Sequence, residues 1–203
     1  MDAELARRVA AAAAALERGG VVAYPTETFY GLGVLAADAA AVERLLAAKG
    51  RPEGKPLPLL AADLAQVEGV ARLDGLARRL AGALWPGPLT LLLPAAPGLH
   101  PAIAGGGTVG VRITSHPVAA ALARLAGGAL VATSANLAGQ PPVACAADLA
   151  PDLVARIDLV LDGGPTPGGL PSTVVALQGG RPVLVRAGAV PFEAVLALRG
   201  EGA

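Results

Sequence analysis

Polar and charged side chains gather in a few short segments of a chain that is otherwise strongly apolar, with 54% hydrophobic residues. Residues 25–33 follow a short apolar run and contain two threonines, a glutamate and a tyrosine: Thr26, Glu27, Thr28 and Tyr30. Ligands of open α/β sheets bind beyond the C-terminal ends of the strands, so this segment predicts a binding site. A polar turn with a threonine N-cap would give the same pattern, and both interpretations stay open.

A second segment, residues 49–57, carries three cations: Lys49, Arg51 and Lys55. A position at a helix C-terminus explains Lys49 and part of Arg51, because the helix dipole favours positive charge there. It does not explain Lys55, which lies beyond the predicted helix. Phosphate recognition would use all three, arginine as a planar fork and lysine as a point charge. The sequence has no Walker A motif, so a nucleotide bound here would be held by side-chain cations.

Arginine also occurs within an apolar strand pattern. Thr108, Gly110 and Arg112 alternate with valines, so they share one face of the predicted strand. Burying an arginine is costly unless it is paired or lies near an opening. Arg112 is therefore either at the exposed end of its strand or a ligand for an anion, and the pattern does not decide between them.

Three more polar groups lie at the ends of predicted strands. They are Ser134-Ala135-Asn136, Pro171-Ser172-Thr173 and Arg186-Ala187-Gly188. Each alone is an ordinary strand-to-loop turn, since serine and asparagine are common there. Their shared position at strand ends, together with the cations, indicates that they converge on one site.

Other chemistries fit the sequence poorly. Residues 31–36 match the dinucleotide pattern G-x-G-x-x-A, but six residues separate Gly31 from the preceding strand, where the pattern needs a tight turn. His100, His116 and Cys145 lack metal-ligand spacing, so no zinc site is expected. Aromatic residues form 2% of the chain, too few for a platform that stacks single-stranded nucleic acid.

Periodicity and turn signals predict the elements that position these groups. Helices are expected over residues 5–16, 39–48, 73–84, 117–125 and 192–198, with a short one after Asp63. Strands are expected over residues 21–24, 57–60, 89–93, 109–113, 130–133, 159–161, 173–177 and 183–186. The last strands follow one another without helices, which indicates antiparallel pairing. The fold class is therefore α/β, with a twisted, mixed parallel and antiparallel open sheet flanked by helices, in a single domain over residues 1–203.

Bulk properties limit the class of protein further. Sixteen basic residues balance sixteen acidic ones, which gives no support for a nucleic-acid coat. Four prolines interrupt the apolar, uncharged stretch of residues 80–99 and argue against a membrane span. The single cysteine excludes an internal disulfide and suits a reducing compartment, so a cytoplasmic location is expected.

The ordered motifs resemble those of the YrdC family. The resemblance runs over about residues 20–188 and rests on Tyr-Pro-Thr-Glu-Thr at 24–28, Tyr-Gly-Leu-Gly at 30–33, Lys-Gly-Arg-Pro at 49–52, Ser-Ala-Asn at 134–136, Pro-Ser-Thr-Val-Val at 171–175 and Arg-Ala-Gly at 186–188. It implies a YrdC-like sheet with a deep cationic cavity. It also implies synthesis of L-threonylcarbamoyladenylate from L-threonine, bicarbonate or CO2, and ATP, for the threonylcarbamoyl modification of tRNA adenosine.

The resemblance also implies a role for each matching residue. The ATP-binding set is Arg51, Lys55, Thr108, Ser134, Asn136, Pro142 and Arg186, with Lys49 and Arg51 as the catalytic cations. The threonine-binding set is Thr28, Arg112, Ala132 and Ser172. The chain departs from common family residues at Phe29, Leu60 and Pro142, which puts contact details in doubt but leaves the cations intact.

The same resemblance implies cofactors and partners. Mg²⁺ is expected to accompany ATP, without a metal held by the protein itself. Downstream partners would be tRNA threonylcarbamoyl transferase proteins, and tRNA itself is a weaker candidate. Two alternatives remain: a double-stranded RNA or tRNA-binding module without ATP turnover, and a YrdC paralogue that serves another acceptor, as in hydrogenase maturation.

Overall fold

The computed structural model describes residues 1–50 and 56–199. Within these ranges the helices are α1 (Ala3–Glu17), α2 (Ala39–Lys49), α3 (Leu64–Val70), α4 (Gly75–Leu84), α5 (Pro117–Leu125), α6 (Pro151–Val154) and α7 (Phe192–Ala197). The strands are β1 (Val22–Pro25), β2 (Tyr30–Gly33), β3 (Leu59–Ala61), β4 (Leu89–Pro94), β5 (Thr108–Ile113), β6 (Leu130–Val131), β7 (Thr133–Ser134), β8 (Leu159–Val160), β9 (Thr173–Gln178) and β10 (Arg181–Arg186). None of the helices described is long and apolar enough to cross a membrane.

Helix ends follow the capping residues of the sequence. The carboxylate of Asp38 accepts a hydrogen bond from the Ala41 amide at 2.9 Å at the start of α2, and Asp63 and Asp74 cap α3 and α4 in the same way. Gly50 ends α2 with a φ of 60°, a left-handed conformation that glycine adopts without strain. The predicted helices are confirmed, with α4 beginning two residues later than expected.

The strands form two hydrogen-bonded sheets. The small sheet has the order β7-β2-β1-β8, and the large sheet has the order β10-β9-β4-β5-β3-β6. Parallel pairs join β1 to β8, β3 to β5 and β4 to β9, and the other pairs are antiparallel. The predicted mixture of parallel and antiparallel strands is confirmed, but it is divided between two sheets.

Two sequence predictions of strands were wrong in detail. Residues 30–33 were treated as part of a polar segment after β1, but they form the buried strand β2, which pairs with β1. A Cβ on Gly33 would lie 2.5 Å from the ring of Tyr24, so glycine permits this close packing. Residues 130–133 were expected as one strand, but the chain changes sheets at Ala132, whose amide donates to the Pro58 carbonyl at 2.8 Å.

Alternation along the large sheet separates the core from the site. Leu91, Val111 and Val175 point into the main apolar core, which also contains the inner faces of α2 and α4. Their neighbours Thr90, Arg112 and Val174 point to the other face, where a cavity lies. A second apolar cluster packs α1 and α5 against the remaining face of the small sheet.

An irregular hairpin completes the large sheet. Gly179 and Gly180 turn the chain between β9 and β10 with φ values of 55° and 72°, which suits a tight two-residue turn. Leu184 pairs with Val175, but the next pair is Arg186 with Val174, so Val185 is an extra residue. A regular ladder would put Val185 opposite Val174 and turn Arg186 to the other face. The bulge therefore directs Arg186 to the cavity side.

Candidate functional site

A cavity of about 900 Å³ lies on the outer face of the large sheet, against the ends of β1, β2 and β7. The predicted site residues that line it are Thr28, Arg112, Ala132, Ser134, Pro142, Ser172 and Arg186. They come from five separate stretches of the sequence, and the fold brings them together. A cavity of this size is large enough for a nucleotide and a small second substrate.

The floor of the cavity is a row of side chains that crosses the large sheet. Thr90 and Arg186 are both paired with Val174 in neighbouring strands. Leu91 pairs with Val111, so Thr90 and Arg112 are the next residues along those antiparallel strands. The row therefore runs Arg112, Thr90, Val174, Arg186. Both arginines face the same cavity, although they stand on different strands.

Arg112 is held by a buried ion pair. Its Nε donates to Oε1 of Glu27 at 2.6 Å, and the two side chains are 6% and 7% exposed. The hydroxyl of Thr114 donates to Oε2 of the same carboxylate. Burial alone would raise the pKa of Glu27, but the charge of Arg112 and the hydrogen bond from Thr114 lower it overall. Glu27 is therefore ionised, and it fixes Arg112 at the cavity wall.

This pair resolves the two interpretations of Arg112 in part. The arginine is buried rather than at an exposed strand end, and its burial is compensated by Glu27. Among the described residues, its terminal guanidinium nitrogens have no hydrogen-bond partner, and the residue lines the cavity. An anion in the cavity would therefore meet two free donors in a planar fork.

Arg186 is the second cation of the row. Its Nη2 donates to the carbonyl of Ser172 at 2.7 Å and to the Ser172 hydroxyl at 3.1 Å. Partial burial and the nearby charge of Arg112 lower the pKa of Arg186. No acidic side chain among the described residues forms an ion pair with it. The cavity therefore contains a positive charge that a bound anion would compensate.

Arg186 was assigned to the ATP-binding set. It stands on the same sheet as Arg112, beside Ser172, which was assigned to threonine. The bulge at Val185 places it there, because it turns the arginine onto the face that the other residues of the row share. Arg186 therefore adjoins both expected subsites.

Lys49 is buried and contacts the strand-end motif rather than the cavity. Its Nζ donates to the Ser134 carbonyl, and to the Asn136 carbonyl at 3.2 Å. The side-chain nitrogen Nδ2 of Asn136 donates to the carbonyls of Leu137 and Gln140 at 3.0 and 2.6 Å. Lys49 therefore joins the end of α2 to the loop after β7. Neither Lys49 nor Asn136 is among the residues that line the cavity.

The remaining predicted residues divide into three cases. Thr108 is exposed, its hydroxyl donates to the Gly105 carbonyl at 3.3 Å, and it does not line the cavity. Arg51 and Lys55 lie outside the described residues. Of the departures from the family pattern, Phe29 and Pro142 line the cavity, whereas Leu60 is fully buried in the second apolar cluster.

Sequence reasoning named the segment that contains Thr26 and Glu27 but gave neither residue a role, and it missed Thr90. Thr26 lines the cavity, and its hydroxyl lies 3.2 Å from the hydroxyl of Thr28. Thr90 lines the floor, and Glu27 orients Arg112. Thr90 could have been found from the sequence, because it is a lone hydroxyl in the otherwise apolar run of β4. The partner of Glu27 lies 85 residues away, and no local pattern indicates such a pair.

Gly188 allows the segment after β10 to pass close to Ser172. A Cβ at this position would lie 2.3 Å from the Pro171 carbonyl oxygen and 2.5 Å from the Ser172 carbonyl carbon. We expect Gly188→Ala to lower the free energy of unfolding by about 1–3 kcal/mol, since the backbone must shift. Ligand binding should weaken as well, because Ser172 and Arg186 move with it.

Urea denaturation would measure the first effect of Gly188→Ala. Gly82→Ala is the matched control, because an added Cβ there meets open space within helix α4. That control should be neutral or slightly stabilising, since alanine favours helix more than glycine does. Equal stability of the Gly188 variant and the control would contradict the packing argument.

The fold and the cavity define a class: an α/β protein with a cavity at strand ends that is lined by two arginines. The family model for Sua5, YciO and YrdC proteins, whose description is "Telomere recombination", matches residues 14–188. The chain belongs to this family. The predicted resemblance to YrdC proteins and the predicted mixed α/β fold are therefore both confirmed.

Individual relatives agree with this membership. The threonylcarbamoyl-AMP synthase of Pyrococcus abyssi is 41% identical over 196 residues, which are 96% of this chain and 58% of that protein. The crystal structure of P. abyssi Sua5 complexed with L-threonine has a TM-score of 0.89 at 41% identity, over 95% of this chain and 57% of that one. The crystal structure of Escherichia coli YciO has a TM-score of 0.84 at 29% identity, over 94% of both chains. The chain thus spans 57–58% of the length of the first curated relatives that it matches.

Proposed function

We propose that this chain forms threonylcarbamoyl-AMP and pyrophosphate from L-threonine, bicarbonate or CO2, and ATP. The observation that carries the proposal is the row of Arg112, Thr90, Val174 and Arg186, which puts two guanidinium groups and a hydroxyl pair on one cavity floor. Such a floor suits two anionic substrates that must be joined. The name of the P. abyssi relative and the threonine in the Sua5 crystal support the same reaction.

The chemistry requires positioning more than a nucleophilic side chain. The threonine amine adds to CO2 and loses a proton to give a carbamate. A carbamate oxygen then forms a bond to the α-phosphorus of ATP, the bond to the β-phosphate oxygen breaks, and pyrophosphate leaves. Cations that compensate the negative charge and hold the reactants in line lower the barrier of such a transfer. A carbamate decomposes in water, so a recessed cavity also protects the intermediate.

The threonine side of the site would be Arg112 with Thr28, Ser172 and the main chain at Ala132. The free donors of Arg112 would hold the carboxylate, and Glu27 would keep the guanidinium in place. The nucleotide side would be formed by Ser134, Pro142 and the flanking segments, with Thr108, Asn136, Arg51 and Lys55 as further proposed contacts. Arg186 would stand between the two sides. Lys49 would act through the Ser134 and Asn136 carbonyls that it holds.

Cofactor and partners follow from the same reaction. No three carboxylate, imidazole or thiol groups converge within residues 1–50 and 56–199, so Mg²⁺ would enter with the ATP phosphates rather than occupy a protein cage. We further propose that residues 1–203 act as one domain, and that the product passes to tRNA threonylcarbamoyl transferase proteins. A tRNA-modification enzyme of this kind would work in the cytoplasm.

The deciding experiment is a substrate-dependence assay. Purified protein is incubated with ATP and Mg²⁺, and pyrophosphate release is measured with threonine, with bicarbonate, with both and with neither. We expect release only when both are present, and threonylcarbamoyl-AMP should be detected by mass spectrometry. Pyrophosphate release that does not depend on threonine would contradict the proposal. Salt-dependent binding of double-stranded RNA or tRNA without turnover would favour the RNA-binding alternative instead.

A further inference from the structure

The hydroxyl of Thr90 occupies a defined place between the two arginines of the cavity floor. Thr90 is 2% exposed, and its Oγ1 lies 3.0 Å from Oγ of Ser172. In the part of the chain that the structure describes, Ser172 is the only hydrogen-bond partner of the Thr90 hydroxyl. Ser172 is itself buried and lines the cavity.

Counting donors and acceptors among the described residues favours one direction of this hydrogen bond. A serine hydroxyl can donate one hydrogen and accept two. Arg186 has only hydrogens to give, so its Nη2 uses one acceptor position of Ser172. If Ser172 donated to Thr90, the hydrogen of Thr90, the more buried of the two residues, would have no acceptor among the described residues, which is costly. Thr90 therefore donates, and both acceptor positions of Ser172 are filled.

The single hydroxyl hydrogen of Ser172 must then be donated to an acceptor other than Thr90 or Arg186. With Arg186 on one side and Thr90 on the other, the free direction of the Ser172 hydroxyl is toward the cavity that it lines. A group that satisfies this hydrogen must be an acceptor, and beside two guanidinium groups an anionic oxygen fits best. A carboxylate oxygen has this chemistry.

We propose that Thr90 is a positioning residue that makes Ser172 an obligate hydrogen-bond donor to the carboxylate of bound threonine. This assignment rests on the proposed function of the cavity. Thr90 acts through Ser172 and does not itself need to touch the substrate. Its removal would let the Ser172 hydroxyl turn away from the ligand, so the site would lose an oriented donor without losing a charge.

Two substitutions at residue 90 test this role. Thr90→Val keeps the shape and removes the hydroxyl, and Thr90→Ser restores the hydroxyl. We expect Thr90→Val to raise the KM for threonine about five- to tenfold, the cost of one oriented hydrogen bond, with the KM for ATP within about twofold of wild type. Thr90→Ser should stay within about twofold of wild type. Since the lost hydrogen bond would hold the carboxylate equally in the bound substrate and in the transition state, kcat should change little.

A control variant and a double-mutant cycle distinguish a positioning role of Thr90 from a general perturbation of the structure. Thr166→Val removes another buried hydroxyl, which donates to the Ala144 carbonyl at 3.2 Å outside the cavity, and it should leave the KM for threonine unchanged. Ser172→Ala should raise that KM, and adding Thr90→Val to it should change the KM by less than about twofold. Fully additive effects, or a wild-type KM for Thr90→Val, would overturn the proposal.

The outcomes also distinguish this inference from the proposed function. If wild-type protein released no pyrophosphate with threonine and bicarbonate, the proposed function would fail. Calorimetric titration of L-threonine into wild type and Thr90→Val would then test the positioning role directly, and equal dissociation constants would reject it. An active wild type with an unaffected Thr90→Val variant would reject the role of Thr90 alone. Thermal unfolding of each variant verifies that the fold is retained.

Discussion

Glu27→Gln is expected to lower the free energy of unfolding by about 3–5 kcal/mol, because it leaves the buried guanidinium of Arg112 without a counter-charge. Both side chains of the pair are less than a tenth exposed, so water cannot take over this role. The glutamine keeps the size of the glutamate, removes its charge and replaces one of its two acceptor oxygens with a donor. Binding of threonine should weaken too, since Arg112 would lose the contact that orients it. Urea denaturation and threonine titration measure the two effects.

The pH dependence gives this prediction a second readout. The folded-state pKa of Glu27 is lowered, so its contribution to stability is present above the ordinary glutamate value of about 4.3. That contribution is lost as the pH falls through the lowered folded-state pKa. Wild type should therefore lose more stability than Glu27→Gln when the pH is reduced from 7 to below about 4.3. Parallel stability curves for the two proteins would contradict the assignment.

A surface ion pair supplies the matched control. Glu68 pairs with Arg78 at 2.8 Å, but both side chains are about half exposed. Glu68→Gln should therefore change the free energy of unfolding by less than about 1 kcal/mol. If Glu27→Gln cost no more than this control, the buried pair would not be what holds Arg112.

Arg186→Ala is expected to reduce kcat/KM by about a hundredfold or more while the fold stays intact. Arg186 is the cation of the floor that no described acidic group pairs with, and it stands next to Ser172 between the two proposed subsites. A charge that meets the transferring group in a recessed site typically contributes about 10²–10³ in rate. Steady-state pyrophosphate release measures the loss, and urea denaturation shows whether stability is unchanged.

Two further variants make the result specific. Arg181 lies at the other end of β10 and is exposed, so Arg181→Ala should leave the activity unchanged. Arg186→Lys keeps the charge but loses the planar guanidinium, whose Nη2 donates to both oxygens of Ser172, so it should recover only part of the activity. An Arg186→Ala variant as active as Arg181→Ala would rule out a role for Arg186 at the site.

The sequence predicts best what is local. Asp38 with Gly50, and Pro117 at the start of α5, indicate helix ends because caps act within a few residues. Alternation predicts the faces of β5, so Gly110 and Arg112 were correctly expected on one side. The turn at Gly179 and Gly180 was likewise visible as a hairpin.

Contacts between segments that are far apart in the sequence could not be predicted from local patterns. The pairing of Thr90 with Ser172 follows from the neighbouring strands β4 and β9, and that of Glu27 with Arg112 follows from how the turn between β1 and β2 of the small sheet meets β5 of the large sheet. The bulge at Val185 changes which residue faces the cavity, and no composition signal marks it. Lys49 was expected to help neutralise the phosphates. Its contacts with the Ser134 and Asn136 carbonyls could not be foreseen, because a lysine held by carbonyl oxygens looks the same in sequence as one that binds an anion.

The bulge at Val185 has a consequence for contacts between copies of the protein. Strand β10 is the outer strand of the large sheet and exposes Val183, Leu184 and Val185, a combination that invites another chain to add a strand. Pro182 has no amide hydrogen, and the bulge interrupts the regular row of backbone donors and acceptors. The same irregularity that turns Arg186 into the cavity therefore also protects this edge from edge-to-edge aggregation.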